Sequence, residues 1–233
     1  MTLPIAILAG GFATRIRPLT EKIPKALVEL NGEPFLAHQL RLLKKAGLRN
    51  VVICAWYRGE LIKEFAGDGS QFGLHISYSF DGDSPLGTGG ALHKALPLLG
   101  ENFFVLYGDS YLNCNYRAIE KSFLTSGKKA LMTVFRNFDQ GDRSNVDFDN
   151  GQICVYDKAN RTSKMEYIDY GLGIINASVF ENFTLGQKLD LEEIYQTLLA
   201  QNQLAGFEVS DKFYEIGSFS GIKELEKYLQ KME

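Results

Sequence analysis

Short apolar runs alternate with amphipathic segments through the first half of the chain. The strand-like runs are, in order, "PIAILAG", "NVVICAWY", "LHISYSF" and "NFFVLYGD". The segments with helical periodicity are "PFLAHQLRLLKKAG", "GELIKEFAG", "GGALHKALPLL" and "YRAIEKSFLTSG". The first of these helices places Leu36, Leu40 and Leu43 on one face. This β-α order predicts an α/β fold, with a mixed, mostly parallel sheet and helices on both faces.

The alternation of strand and helix patterns ends at about Lys129, where strand patterns begin to follow one another more closely. Strands are predicted in "ALMTVF" and "NVDFDNGQICVYD", and Asn150-Gly151 inside the latter is typical of a two-residue hairpin turn. "YIDYGLGIINASVF" predicts a strand pair or a strand leading into a helix. The helix "LEEIYQTLLAQ", the strand "DKFYEIGS" and the helix "GIKELEKYLQKM" follow. Since no linker, low-complexity tract or repeat interrupts residues 1–233, we expect one continuous domain.

Composition and charge narrow the possible partners. With 45% hydrophobic and 23% charged residues, the chain has the composition of an ordinary soluble globular protein. Its net charge of -3 gives no general attraction to nucleic acid or to an anionic membrane, so neither is expected as a partner. The first apolar run is too short for a signal peptide or a membrane span, and the three cysteines show no CxxC spacing. These features indicate a cytoplasmic protein.

A long basic loop, "LAGGFATRIRPLTEKIPKAL", contains the end of the first strand and is not followed at once by a helix. Ligands of open parallel sheets lie beyond the carboxyl ends of the strands, where this loop belongs. Gly10 and Gly11 let backbone amides approach an anion, Arg15 offers a planar fork and Lys25 a compact charge. The GxGxxG and GxxxxGK[ST] spacings are both missing. The pattern favours a polyphosphate-binding loop, and a flexible surface loop with incidental basic residues is the alternative.

Two further motifs lie at predicted strand ends. "PLGTGGALHKAL" joins a strand to a helix through glycines that allow close packing on a flat ring, with the Thr88 hydroxyl at the helix start. The alternative there is a glycine-rich turn capped by Thr88. In "FFVLYGDS", Asp109 follows a buried strand, where a carboxylate is costly unless it is paired or binds a metal ion. A helix cap is the alternative for Asp109. The three histidines lack metal-ligand spacing, and no nucleophilic triad is evident.

The segment from Leu8 to Phe35, "LAGGFATRIRPLTEKIPKALVELNGEPF", closely resembles the N-terminal signature of the sugar-1-phosphate nucleotidylyltransferases. That signature is roughly LAGGxGTRxxPLTxxxPKxLxxxxGxPx. The matching positions include Arg15, Pro18, Leu19, Thr20, Pro24 and Lys25. The chain departs from the signature at Ala13, which stands where a third glycine is usual. A tight turn with negative φ would tolerate this alanine, and a left-handed turn would not.

The resemblance implies a Rossmann-like sheet of the nucleotide-diphospho-sugar transferase type, with a nucleotide-binding part at about 1–110 and a sugar-phosphate-binding part at about 111–233. It implies that an NTP and a sugar 1-phosphate react to an NDP-sugar and pyrophosphate with Mg²⁺ as cofactor. The implied catalytic residues are Arg15, Lys25 and Asp109. The implied nucleotide-binding residues are Leu8, Ala9, Gly10, Gly11, Thr14, Asp81, Gly87 and Thr88. The implied sugar-phosphate-binding residues are Gly108, Asp157, Lys158, Asp169, Tyr170 and Gly171, and the implied metal ligands are Asp109 and Glu215.

Some of these positions depart from the family pattern or have a plainer explanation. Glu215 stands where Asp or Asn is commoner, and Asp157 replaces the glutamate that usually precedes Lys158. For Asp169 and Tyr170, the alternative to a sugar-binding role is that they are polar edge residues near a turn. Asp142 and Arg143, in "GDRSN", are interpreted as a solvated loop.

The base and the sugar stay open at this stage. The chain looks most like the compact bacterial heptose- or mannose-1-phosphate guanylyltransferases, which act in cell-envelope polysaccharide synthesis. Asp81 or Asp83 could accept hydrogen bonds from guanine, whose N1 and N2 donors uracil lacks. A uridylyltransferase for muramate- or glucose-type 1-phosphates, or a cytidylyltransferase for a small phosphorylated substrate, is the alternative. A glycosyltransferase using an NDP-sugar is the alternative from another class. We expect a monomer or a small homo-oligomer.

Overall fold

The computed structural model describes residues 3–137 and 143–232. Its strands are β1 (Ile5–Leu8), β2 (Glu29–Leu30), β3 (Glu33–Pro34), β4 (Asn50–Ala55), β5 (His75–Phe80), β6 (Asn102–Tyr107), β7 (Ser110–Tyr111), β8 (Ala130–Arg136), β9 (Val146–Asp149), β10 (Gln152–Tyr156), β11 (Tyr167–Asn176), β12 (Leu204–Glu208) and β13 (Tyr214–Glu215). Its α-helices are α1 (Phe35–Lys45), α2 (Gly59–Ala66), α3 (Gly87–Leu99), α4 (Tyr116–Ser126), α5 (Leu191–Ala200) and α6 (Phe219–Gln230).

Strand β1 lies at the centre of a mixed sheet. It pairs in parallel with β4 on one side and with β6 on the other, and β5 extends the parallel half beyond β4. Beyond β6 the sheet becomes antiparallel, because β11 runs against β6, β8 and β9. The predicted α/β fold with a mixed sheet is therefore confirmed. The parallel half places the carboxyl ends of β1, β4 and β6 at one edge, and this is where a ligand site is expected.

Alternation along β1 explains the two layers of core. Ile5 and Ile7 face a cluster that includes Leu36, Leu40 and Leu43 of α1, while Ala6 between them faces a second cluster on the other side of the sheet. All these side chains are buried. Each face of the sheet is thus covered by helices, and β1 is held rigidly between them.

A third apolar cluster ties the C-terminal helix to the opening loop. Ile16, which is fully buried, belongs to the same cluster as Ile216, Ile222 and Leu225 of the β13–α6 unit. Phe35, at the start of α1, also belongs to it. The basic loop is therefore anchored by its own apolar residues, although it holds only short 3₁₀ turns at Thr14–Ile16 and Lys25–Leu27.

Some elements were predicted, while β12 and the short strands β2 and β3 were not. Asn150 and Gly151 both have positive φ, as the expected hairpin turn requires. Strand β12 carried no prediction, since alanine and glycine in "LAGFE" are weak strand formers. It pairs in parallel with β8, and Gly206 lies so close to the Phe148 ring that a Cβ would clash. Within the described residues, no helix has the length and apolar character needed to span a membrane.

Candidate active site

A cavity of about 500 Å³ opens beyond the carboxyl ends of β1, β4 and β6. The predicted nucleotide-binding residues that line it are Leu8, Ala9, Gly10, Gly11, Asp81, Gly87 and Thr88. The predicted residues Lys25, Gly108, Asp109 and Lys158 line it as well. Residues distant in sequence therefore meet around one space, and the opening loop forms one of its walls.

The opening loop keeps a left-handed turn at the position where the chain departs from the family signature. Ala13 has φ 48° and ψ 49°, a conformation that costs a non-glycine residue about 1–2 kcal/mol. The Thr20 hydroxyl donates to the Ala13 carbonyl oxygen at 2.8 Å and so holds the turn. The expectation that such a turn would not tolerate alanine is therefore wrong: the anchored loop carries the strain.

Aromatic residues on the cavity wall were not singled out from the sequence. The Phe12 ring meets Trp56 edge-on, with centroids 4.7 Å apart, and also lies 5.1 Å from the Tyr57 ring. Tyr57 and Arg58 both donate to the Glu21 carbonyl oxygen, so the turn after β4 supports the loop at two points. The position of Trp56 in the sequence could have marked it as a site residue. It directly follows β4, whose carboxyl end lies beside that of β1.

Lys25 and Asp109 form an ion pair at the floor of the cavity. The Lys25 ammonium group lies 2.9 Å from the Asp109 carboxylate, and their side chains are 17% and 32% exposed. Gly108 allows this approach, because a Cβ there would clash with the Leu8 carbonyl oxygen of the neighbouring strand. The Asp109 carboxylate thus already has a cation beside it and still faces the cavity.

Arg15 and Glu215 lie close to this pair without lining the cavity. A Cβ built at Gly217 would be 2.6 Å from Glu215 Oε2, 3.0 Å from Arg15 Nη2 and 3.3 Å from Lys25 Nζ. These three groups therefore surround one point, and Lys25 connects it to Asp109. Glu215 accepts hydrogen bonds from the Gly217 amide and, at 2.6 Å, from the Ser218 hydroxyl. Its carboxylate is directed to the start of α6.

These carboxylates suit a hard cation only together with a substrate. Among the described residues, no three acidic, histidine or cysteine side chains form a ready metal cluster. Asp109 and Glu215 come from adjacent segments, since the Ile216 amide donates to the Asp109 carbonyl oxygen at 3.0 Å. A magnesium-like ion needs one or two carboxylates and takes its other ligands from phosphates and water. The donor set fits such an ion.

Away from the Lys25–Asp109 pair, Asp81 lines the cavity together with two further carboxylates, Asp190 and Glu192. Asp81 accepts a hydrogen bond from the Leu86 amide at 2.9 Å, and burial raises its pKa above the usual value. Asp83, the other candidate, is exposed on the same loop and does not line the cavity. The structure therefore distinguishes two residues that the sequence left equivalent.

The glycine-rich turn and Thr88 join α3 to the segment before α5. A Cβ at Gly87 would lie 2.6 Å from the Leu189 carbonyl oxygen, and one at Gly90 would lie 2.7 Å from that of Gln187. The Thr88 hydroxyl accepts the Leu191 amide at 2.8 Å, so it does not cap its own helix. These glycines are required by protein packing, and Gly87 and Thr88 still border the cavity.

Lys158 reaches the cavity over two tyrosine rings. Its ammonium group lies 5.6 Å from the centroid of Tyr107 and 5.7 Å from that of Tyr156. Its backbone amide donates to the Glu192 carboxylate at 3.1 Å, which ties this loop to α5. Asp157 beside it accepts the amides of Ala159 and Asn160, and these hydrogen bonds lower its pKa. Asp157 therefore shapes the turn and does not line the cavity.

Other predicted sugar-side residues lie behind the cavity wall. Asp169 is engaged with neighbouring tyrosines and with the Gly171 amide. Tyr170 is only 2% exposed, and its ring lies against Phe135 and Phe213 in the core. The structure therefore does not bring Tyr170 to the site. Thr14 and Gly171 do not line the cavity either. Arg143 is exposed, and Asp142 lies outside the described residues.

Comparison with known proteins agrees with this geometry. The family model described as nucleotidyl transferase matches residues 5–231, so the chain belongs to that family. A D-glycero-alpha-D-manno-heptose 1-phosphate guanylyltransferase from Campylobacter jejuni is 31% identical over 91% of this chain and 93% of its own length. The mannose-1-phosphate guanylyltransferase catalytic subunit beta of Xenopus tropicalis is 30% identical over 91% of this chain, which spans 60% of that relative.

A solved structure shows the same fold. HddC from Yersinia pseudotuberculosis, complexed with GMP-PN, superposes with a TM-score of 0.80 at 21% identity, covering 98% of this chain and all of the other. Family membership and these relatives support sugar-phosphate nucleotidyl transfer as the activity of this chain. Enzymes of this family generally use a divalent metal ion.

Proposed function

We propose that the protein transfers a guanylyl group from GTP to a heptose or mannose 1-phosphate, giving a GDP-sugar and pyrophosphate. The observation that carries the choice of base is Asp81, a partly buried carboxylate on the cavity wall. Guanine presents N1–H and N2–H donors side by side, and a carboxylate can accept both. The named guanylyltransferase relatives support the same choice. The proposal assigns the reaction to the cytoplasm.

The proposed roles follow from where charge develops during an in-line transfer. The sugar-phosphate oxygen attacks the α-phosphorus while pyrophosphate leaves on the opposite side. Arg15 and the amides of Gly10 and Gly11 stabilise the departing pyrophosphate, and Lys25 neutralises the α-phosphate region. Lys158 holds the incoming phosphate. No protein nucleophile is required.

Asp109 and Glu215 would hold Mg²⁺. When bound, the ion would supply charge neutralisation for the reacting phosphate groups. Lys25 would then keep its place beside Asp109 and share that carboxylate. Glu215 would turn away from Ser218, which currently donates to it.

A panel of substrates tests the reaction. Pyrophosphate release is measured with four NTPs crossed with hexose, heptose and amino-sugar 1-phosphates. The proposal expects GTP with a manno-configured 1-phosphate to turn over fastest. Turnover only with UTP or CTP would contradict the guanylyl assignment, and transfer from a preformed NDP-sugar without pyrophosphate release would indicate a glycosyltransferase.

A matched pair of variants tests the role of Asp81. Asp81→Asn still offers an oxygen to the Leu86 amide but cannot accept both guanine donors, so kcat/KM for GTP relative to UTP should fall about tenfold or more. Asp83→Asn removes the same charge from an exposed position and should leave that ratio unchanged. An unchanged ratio in Asp81→Asn would remove Asp81 from base recognition.

A further inference from the structure

Asp169 uses its carboxylate to hold two tyrosine side chains. Its Oδ2 atom accepts the Tyr107 hydroxyl at 2.8 Å and the Tyr156 hydroxyl at 3.2 Å. Its Oδ1 atom accepts the Gly171 amide at 3.0 Å. Both oxygens are therefore occupied by protein donors, which leaves this carboxylate poorly suited to bind a sugar hydroxyl directly.

The two tyrosines come from different strands, and both donate to this carboxylate. Tyr107 ends β6, and Tyr156 ends β10, which is separated from β6 by two strands of the sheet. Burial and the Asp169 charge raise the pKa of Tyr107 well above its usual value, so its hydroxyl stays protonated and remains a donor. The pKa of Tyr156 is raised for the same two reasons. The hydrogen bonds therefore persist across the physiological pH range.

The faces of these rings support Lys158. Its ammonium group lies within cation–π distance of both rings. Within residues 3–137 and 143–232, no carboxylate forms an ion pair with it. A lysine over ring faces has its three N–H donors available for an incoming anion. The ammonium group also lines the cavity, where such an anion would arrive.

We propose that Asp169 is a positioning residue, which fixes two tyrosine rings as a platform for the Lys158 ammonium group. The platform presents this charge to the phosphate of the acceptor substrate, and in that respect it rests on the proposed function. Asp169 then acts through the tyrosines, and it makes no contact with the sugar. The platform consists of Tyr107, Tyr156 and Asp169.

Kinetics of tyrosine variants test the platform. The double variant Tyr107→Phe/Tyr156→Phe keeps both rings and removes both hydroxyls. Its KM for the sugar 1-phosphate should rise about tenfold, or about 1.4 kcal/mol, while its KM for GTP stays unchanged. Tyr167→Phe, a hydroxyl deletion on β11 away from Lys158, is the control and should behave as wild type. Wild-type kinetics in the double variant would overturn the proposal.

Coupling to Lys158 separates positioning from general destabilisation. Asp169→Ala should raise the KM for the sugar 1-phosphate. Asp169→Asn keeps an acceptor oxygen, so its KM should lie close to the wild-type value. In a Lys158→Ala background neither Asp169→Ala nor the tyrosine changes should have any further effect, because all act through one group. Effects that simply add to that of Lys158→Ala would overturn the platform.

A spectroscopic readout keeps this test independent of turnover. Lysines are ¹³C-dimethylated, and the Lys158 resonance is assigned by its loss in Lys158→Arg. Ring currents should shift it upfield in the wild type, and Asp169→Ala should move it to the position of exposed lysines. A Lys158 resonance already at that position in the wild type would refute the platform. If no substrate turns over but the shift behaves as expected, the proposed function fails and the platform stands.

Discussion

Lys25 and Asp109 are 84 residues apart in the chain and 2.9 Å apart in the structure. The family signature marks Lys25, and the end of a buried strand marks Asp109, but their contact depends on Gly108 and on the pairing of β1 with β6. At this scale the sequence identifies candidate charged residues of the site. It does not predict which carboxylate oxygens already accept hydrogen bonds from the protein, as Asp157 and Asp169 illustrate.

Removing either charge of this pair should abolish most turnover. Lys25→Ala or Asp109→Ala each removes a preorganised charge, worth on the order of 3 kcal/mol or about a hundredfold in kcat. Steady-state pyrophosphate release measures the loss, and circular dichroism checks the fold. Lys22→Ala, an exposed lysine of the same loop, is the control and should keep its activity. A folded Asp109→Ala enzyme with normal turnover would refute the metal assignment.

The left-handed Ala13 offers a test of loop strain. Ala13→Gly should relieve about 1–2 kcal/mol of strain and lose about 0.5–1 kcal/mol to glycine entropy, so the free energy of unfolding should rise slightly. Activity should persist, because the backbone at Ala13 already adopts the left-handed conformation that glycine favours. Urea unfolding measures the change. Ala118→Gly in α4 should be destabilising, and an equal loss in both variants would show that Ala13 is unstrained.

At the scale of elements, the cavity depends on how helix starts are joined. The N-termini of α3 and α5 meet through Thr88 and Leu191, and Asp190 forms a capping box with Glu193 at the start of α5. Sequence periodicity predicts both helices, since each needs only local information. Their junction involves residues 103 positions apart, so no local pattern could reveal it. Strand β12 could not be predicted for the same reason, because it is defined by its long-range pairing with β8.

Thr88→Val tests this junction. The change keeps the side-chain shape but leaves the Leu191 amide without its acceptor, which should cost about 1–3 kcal/mol in the free energy of unfolding. Because Thr88 also borders the cavity, KM for the NTP should rise. Thermal unfolding and steady-state kinetics provide the two readouts. Thr125→Val, whose hydroxyl bonds only within its own helix, should change neither. Equal stability of the two variants would contradict the junction.

At the scale of the molecule, the α/β order and the location of the site at the strand ends follow from alternation and from the rules for parallel sheets. These rules do not predict the aromatic wall at Trp56, the platform behind Lys158 or the burial of Tyr170. Each of these depends on which face of a strand meets which neighbour. Long-range pairing determines those faces, and a single sequence records it only weakly.

Buried tyrosines predict alkaline instability of the whole protein. Burial raises the pKa of Tyr107, Tyr116 and Tyr195 well above the usual value and that of Tyr111 to about 12. The unfolded chain therefore loses these protons from about pH 10, while the folded chain keeps them, so stability is full below that pH and falls above it. The tyrosinate absorbance contributed by these buried tyrosines should appear together with the loss of helical dichroism. Ionisation of these buried tyrosines well before unfolding would contradict this.

The most direct test of the central claim is whether pyrophosphate release depends on the acceptor. Purified protein is given GTP and Mg²⁺, with and without mannose or heptose 1-phosphate, and pyrophosphate and nucleotide-sugar are measured together. We expect release only when the sugar phosphate is present, with one GDP-sugar formed for each pyrophosphate. Release of pyrophosphate from GTP alone, or no GDP-sugar with any sugar 1-phosphate, would contradict the account.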